Sequence, residues 1–175
     1  MKEIKTVVIG ALFIATGIVL SILTHAVGGP MLGKILLPLH FVVILAGLLL
    51  GEWAGLVVGL LTPIISFVAI GMPPISPPIA VFMMPELGTY GFVAGYLAHR
   101  KVNIYFNLLI TVISGRIIYS VFYYILGIML SIHLRPLVAV ILSFGEGIVG
   151  IIIQFLLIPP LYLGLKKRIS RNVEG

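Results

Sequence analysis

The sequence predicts an all-α integral membrane protein with six transmembrane helices, forming a single domain over residues 1–175. Two observations predict this class. Hydrophobic residues make up 61% of the chain and charged residues only 9%, which is more apolar surface than a soluble domain of this length buries. The apolar runs are also long and unbroken, whereas the strands of a membrane barrel alternate apolar and polar residues. Helices of about 20 residues are therefore expected along the whole chain.

The limits of the six spans follow from the apolar runs and the breaks between them. They are predicted at 4–26, 38–50, 53–70, 79–97, 104–130 and 136–165. Gly28-Gly29-Pro30 cannot continue a helix, so residues 27–37 are predicted to form a loop, and Gly51-Glu52 a tight hairpin. The proline-rich segment 71–78 is predicted to be a rigid, extended loop, and Pro159-Pro160 to break or kink the last helix.

The distribution of lysine and arginine predicts the orientation in the membrane. With both termini on one side, the opposite side holds Lys34 and Arg135, and the side of the termini holds Lys2, Lys5, Arg100, Lys101, Lys166, Lys167, Arg168 and Arg171. Basic residues are enriched on the cytoplasmic side of membrane proteins. Both termini are therefore predicted to be cytoplasmic, and the segments 27–37 and 71–78 to lie outside.

Small residues recur at the spacing that allows helices to approach closely. The glycines at this spacing are Gly47, Gly51, Gly55, Gly59, Gly91 and Gly95. They are interpreted as packing positions inside the bundle. In the first span Ala11 and Ala15 share one helix face, and we expect Gly10 and Gly17 to flatten that face further. The alanine face is either a contact within the bundle or a docking surface for another membrane protein.

The sequence contains no pattern typical of an enzyme or a metal site. Residues 28–34 resemble a phosphate-binding loop, but Ile35 replaces the required hydroxyl residue and no soluble strand precedes the segment. The four histidines lie in four different segments, which predicts no metal site. The net charge of +6 resides in loops and at the chain ends, as expected for membrane anchoring rather than nucleic-acid binding.

Three ionisable residues near the middle of apolar spans, Glu86, Arg116 and Glu146, form the core of a predicted binding site. A charge at the bilayer centre costs about 2.5–3.5 kcal/mol, so each must face protein or water. Their distances from the span ends place them at similar depths. Arg116 either pairs with one of the two carboxylates or presents its guanidinium to an anionic ligand. The other substrate-binding candidates are His40, Thr62, Ser66, Tyr90, Tyr119 and Tyr123.

Several segments together resemble the substrate-binding S components of energy-coupling factor (ECF) vitamin transporters. The resemblance rests on Leu37-Pro38-Leu39-His40-Phe41, Leu48-Leu49-Leu50-Gly51, Thr62-Pro63 with Gly71-Met72-Pro73-Pro74, and Met84-Pro85-Glu86-Leu87-Gly88-Thr89-Tyr90-Gly91, together with the Ala-x-x-x-Ala motif and the basic tail. It extends over the whole chain.

This resemblance implies a substrate-capture subunit in a prokaryotic cytoplasmic membrane. Such proteins bind a vitamin from outside, beneath lids that here correspond to 27–37 and 71–78. Ala11 and Ala15 would dock on a membrane coupling protein (T component) that carries two cytoplasmic ATPases, and the S component topples to release its cargo. The chain itself would bind no cofactor, because the partner subunits use the ATP. Pantothenate is the leading substrate, since Arg116 suits an anion; pyridoxine-type, queuosine-precursor, folate, riboflavin and cobalamin substrates remain open.

Two other hypotheses fit the ionisable residues. The chain is alternatively a self-sufficient secondary transporter that works as a homodimer and is driven by protons through Glu86 or Glu146. It is otherwise a membrane scaffold in which all three charges are structural and no small molecule binds.

Overall fold

The computed structural model describes residues 2–74, 79–129, 145 and 147–174. In this part of the chain the secondary structure consists of helices, without strands. In chain order the helices are α1 (Lys2–Leu36), α2 (Pro38–Leu50), α3 (Glu52–Ile70), α4 (Ile79–His99), α5 (Ile104–Met129) and α6 (Ile148–Glu174).

The helices α2 to α5 begin and end close to the predicted positions. The bounds of α2 are as predicted, and those of α3, α4 and α5 differ by one or two residues. Four helices, α1, α3, α5 and α6, are long and apolar enough to cross a membrane, whereas α2 has only 13 residues. The structure is thus an all-α bundle of the membrane type. The six spans and the cytoplasmic termini stay predictions.

The prediction that residues 27–37 form a loop is wrong for most of this segment. The backbone is non-helical at Gly28 (φ −139°, ψ 16°) and Gly29 (φ 64°, ψ −165°), and then a helical segment runs from Pro30 to Leu36. Gly29 supplies the left-handed conformation that turns the chain. Pro30 then starts the next turn, because its fixed φ suits the first helical position and its missing N–H has no partner to lose there.

The predicted break at Pro159-Pro160 does not occur, and the helix continues beyond the predicted end at Leu165. Both prolines lie inside α6, which runs to Glu174. Two prolines remove only two backbone hydrogen bonds from a long helix. Packing offsets that loss, because Ile158 and Tyr162 on either side are buried in the hydrophobic core. The predicted beginning of this span, from residue 136, falls outside the described residues.

The predicted glycine contacts hold α2, α3 and α4 together. A Cβ atom would collide with backbone atoms of a neighbouring helix or turn at Gly47, Gly55, Gly59, Gly91 and Gly95. Gly91 of α4 is the centre of this contact, because its carbonyl lies where a side chain on Gly47 or Gly55 would begin. Only glycine allows this backbone approach, so the interpretation as packing positions is confirmed for these five glycines. Gly51 instead lies in the turn between α2 and α3, where its φ of 95° favours glycine.

The face of α1 that carries Ala11 and Ala15 is exposed. Gly10 and Gly17 do not belong to it, contrary to the prediction. Both are buried, and a Cβ on Gly10 would meet Val58 of α3, whereas one on Gly17 would meet Val42 of α2. Residues seven apart share a helix face, so the two glycines line the inner side of α1. The alanines are left on the outer side, open to a partner.

Candidate solute-binding site

A cavity of about 210 Å³ lies at the end of the bundle where α1 ends and α2 begins. Residues from α1, α2, the segment after α3, α4 and α5 form its wall. They are Ser21, His25, Pro30, Gly33, Lys34, Leu37, Pro38, Leu39, His40, Met72, Pro73, Pro74, Ile79, Met83, Glu86, Arg116 and Tyr119. Both segments predicted as lids therefore contribute to the wall: 27–37, which is largely helical, and the part of 71–78 up to Pro74, since residues 75–78 lie outside the described residues. Their action as lids stays a prediction.

A buried ion pair forms one side of the cavity. Nη1 of Arg116 lies 3.1 Å from Oε1 of Glu86, and the two side chains are only 5% and 1% exposed. Nε2 of His40 lies 3.5 Å from the same oxygen, and the Tyr90 hydroxyl donates a hydrogen bond of 3.1 Å to it. The Glu86 carboxylate is thus enclosed by three protein groups. Of the two predicted roles of Arg116, this geometry corresponds to the ion pair with a carboxylate of the protein. Arg116 also borders the cavity.

Local sequence explains how α4 and α5 bring these groups together. Glu86 and Tyr90 are four residues apart on α4 and so lie on one helix face. Gly115, beside Arg116 on α5, leaves the space that the Tyr90 ring occupies, because a Cβ there would overlap the ring. His40 of α2 closes the group, with its ring 5.4 Å from that of Tyr90.

The predicted site residues are divided between the cavity and its surroundings. His40, Glu86, Arg116 and Tyr119 line the cavity. Tyr90 and Tyr123 stand behind this wall, Tyr90 bonded to Glu86 and Tyr123 stacked on Tyr119 with ring centroids 5.9 Å apart. Glu146 lies outside the described residues.

Thr62 and Ser66 of α3 are buried away from the cavity. The Thr62 hydroxyl donates to the carbonyl of Val58 at 2.6 Å, and the Ser66 hydroxyl donates to the carbonyl of Met72 at 2.6 Å. Met72 lines the cavity, so Ser66 supports the wall from behind. A direct contact of either hydroxyl with a substrate stays a prediction.

The sequence reading missed the polar residues that α1 contributes. Ser21, His25 and Lys34 line the cavity, with Met83 of α4. Ser21 and His25 are one helical turn apart just before the glycine turn, and Lys34 is a single cation in an apolar segment. The spacing of Ser21 and His25 is the signal in the sequence that could have identified them.

The described wall carries more positive than negative charge. Its cationic side chains are Lys34 and Arg116, and its carboxylate is Glu86, which leaves an excess of one positive charge when the histidines are neutral. Glu86 compensates Arg116 at 3.1 Å, and Lys34 is the second cation of the described wall.

An apolar helical bundle with a solute-sized, charged cavity at one end defines a membrane protein of the solute-binding class. Residues 5–162 match the family model of the ECF transporter substrate-specific component, so the chain belongs to this family. The predicted resemblance is therefore confirmed, and the chain is the substrate-binding subunit of an ECF-type transporter, a transporter family rather than an enzyme family. No curated protein and no solved structure matches the chain.

Proposed function

We propose that this subunit captures a compact, anionic micronutrient from outside the cell, with pantothenate as the leading candidate. The observation that carries the proposal is the charge of the cavity wall: among the described residues that line it, Lys34 and Arg116 are cations and Glu86 is the one carboxylate. A carboxylate that leaves water needs a cation at its binding site. Lys34 is the better candidate for that contact, because it is exposed and lines the cavity, whereas Arg116 is buried against Glu86.

The size of the cavity supports a small substrate. Its volume of about 210 Å³ is below the range of about 300–1,000 Å³ that is typical of pockets for drug-sized ligands. This favours pantothenate or a pyridoxine-type compound over folate or cobalamin. A compact carboxylate satisfies both the volume and the charge.

Transport requires partners, and the exposed alanine face of α1 is the proposed docking surface. Ala11 and Ala15 would pack against a helix of the membrane coupling protein, since small residues let backbones approach closely in lipid. The two cytoplasmic ATPases on that coupling protein would hydrolyse ATP, and this chain would bind no cofactor. The assembly would lie in the prokaryotic cytoplasmic membrane, with both termini of this chain in the cytoplasm.

Titration calorimetry with the detergent-purified subunit tests the substrate. Wild-type protein should bind pantothenate without ATP, and native mass spectrometry should show any solute that co-purifies. Lys34→Gln should weaken binding by about ten- to a hundredfold, the effect of losing a charged hydrogen bond. Lys166→Gln is the matched control, because its ammonium bonds to Tyr162 outside the cavity. Pantothenol, in which an alcohol replaces the carboxylate, should bind more weakly than pantothenate to the wild type and equally weakly to Lys34→Gln. Equal binding of both compounds by the wild type would exclude an anionic substrate.

Cellular uptake tests the docking surface. The double variant Ala11→Trp/Ala15→Trp should abolish uptake while leaving the dissociation constant of the solute unchanged, because neither alanine lines the cavity. Ile113→Trp on α5, an exposed position at 47%, is the control for a bulky residue facing lipid. Normal uptake by the double variant would exclude the docking role. Uptake into liposomes by this chain alone, driven by a pH gradient, would instead select the homodimeric secondary transporter.

A further inference from the structure

His25 lies at the turn of α1, with one edge of its ring beside the segment Pro30–Leu36. In a continuous helix residues 25 and 33 would be about 12 Å apart along the axis. Here a Cβ on Gly33 would lie 2.7 Å from Cε1 and 2.9 Å from Nε2 of His25. The glycine turn has therefore brought the segment back over the ring. Both His25 and Gly33 line the cavity.

The contacts of His25 determine which of its ring nitrogens carries the proton. Nδ1 lies 2.6 Å from the backbone carbonyl oxygen of Ser21. A carbonyl oxygen only accepts, so Nδ1 is the donor of this bond. In the neutral ring Nε2 then carries a lone pair and is an acceptor. Ser21 is only 2% exposed, so the protein interior holds the ring in this orientation.

The acceptor nitrogen is available to a solute. Among the described residues, none forms a hydrogen bond with Nε2 of His25. Lys34 follows Gly33 directly and lines the same cavity. An acceptor thus stands next to the residue that we propose for the anionic group of the substrate.

We infer that Nε2 of His25 accepts a hydrogen bond from a neutral donor of the captured solute, a hydroxyl or an amide N–H, and so selects anions that carry such a donor. The inference rests on the proposed function and adds a second requirement to the substrate. His25 is half-buried, and a solute that fills the cavity would take water away from Nε2. An acceptor that is then left unpaired costs free energy, so an anion without a donor is rejected. Simple fatty or keto acids of the same size would be poor ligands.

Two pantothenate analogues test the inference by calorimetry. One is N-(3,3-dimethylbutanoyl)-β-alanine, which lacks both hydroxyls, and the other is the ester in which oxygen replaces the amide N–H. Wild-type protein should bind at least one of them about tenfold more weakly than pantothenate. His25→Leu should bind pantothenate and that analogue with equal affinity, because the acceptor is gone. His25→Gln, which keeps an acceptor oxygen, should restore part of the discrimination.

His99→Leu is the matched control, because this histidine is 69% exposed and pairs with Glu52 away from the cavity. It should discriminate as the wild type does. The inference fails if the wild type binds both analogues as tightly as it binds pantothenate. It also fails if His25→Leu discriminates between pantothenate and the analogue as strongly as the wild type does. In both cases the proposed capture of an anion stands. Should the wild type not bind pantothenate at all, the proposed substrate and the inference both fail.

Discussion

Removing one member of the Glu86–Arg116 pair should destabilise the bundle more than removing both. Glu86→Gln leaves the guanidinium, which is 5% exposed, without the carboxylate that lies 3.1 Å away. Loss of one partner from a buried pair costs about 3–5 kcal/mol. In a domain of this length each kcal/mol lowers the melting temperature by about 2–4 °C, so a fall of about 6–20 °C is expected. Arg116→Met should fall in the same range, because it leaves the carboxylate buried.

The double variant Glu86→Gln/Arg116→Met has no buried charge at this position and should recover a large part of the loss. The melting temperature is measured by the helical circular dichroism signal in detergent, without solute. Glu52→Gln is the control, because its partner His99 is 69% exposed and water screens such a pair. Additive losses in the double variant would refute the reasoning, since they would mean that the two groups do not stabilise each other.

Two further variants test the packing and the cavity wall. Gly91→Ala should lower the melting temperature sharply, because its Cβ would overlap the carbonyl of Gly55. Gly164→Ala is the control and should leave the melting temperature unchanged, because no atom lies within 4 Å of a Cβ there. Equal melting temperatures of the two variants would contradict the close contact. Ser66→Ala removes the 2.6 Å hydrogen bond to the Met72 carbonyl. Solute binding, measured by calorimetry, should weaken about three- to tenfold. Unchanged affinity would show that this bond does not position the cavity wall.

The sequence predicted most helix ends because apolar runs and glycine or proline breaks are local signals. It failed at residues 30–36 for a reason that is not local. Gly28-Gly29 did interrupt the helix, as expected, but whether the chain then continues as a loop or as a new helix depends on what the next residues contact. Here Gly33 packs against His25, a contact that exists only after the chain has turned. The break predicted at Pro159-Pro160 does not occur for a similar reason, because burial of neighbouring residues compensates for the lost bonds.

The charged candidates Glu86 and Arg116 lie in the cavity wall, whereas the hydroxyl candidates Thr62 and Ser66 do not line it. Glu86 and Arg116 were found because a charge in an apolar span needs a partner or a cavity, and here they have both. Thr62 and Ser66 look equally polar in sequence, but each donates its hydroxyl to a backbone carbonyl within the protein. A small hydroxyl satisfied in this way is common in helices and carries little information about ligands.

The ion pair between Arg116 and Glu86 changes the role that is expected of Arg116 in solute capture. A lone arginine at this depth would be costly in the empty protein, whereas the pair with Glu86 keeps the cavity wall neutral there before any solute arrives. A solute carboxylate that replaced Glu86 would leave that carboxylate buried without its arginine, at a cost of about 3–5 kcal/mol. Lys34 is exposed in the cavity wall, so a solute carboxylate would bind there without separating Glu86 from Arg116. The anionic group should therefore bind near the turn of α1, and Arg116 should face the uncharged part of the solute.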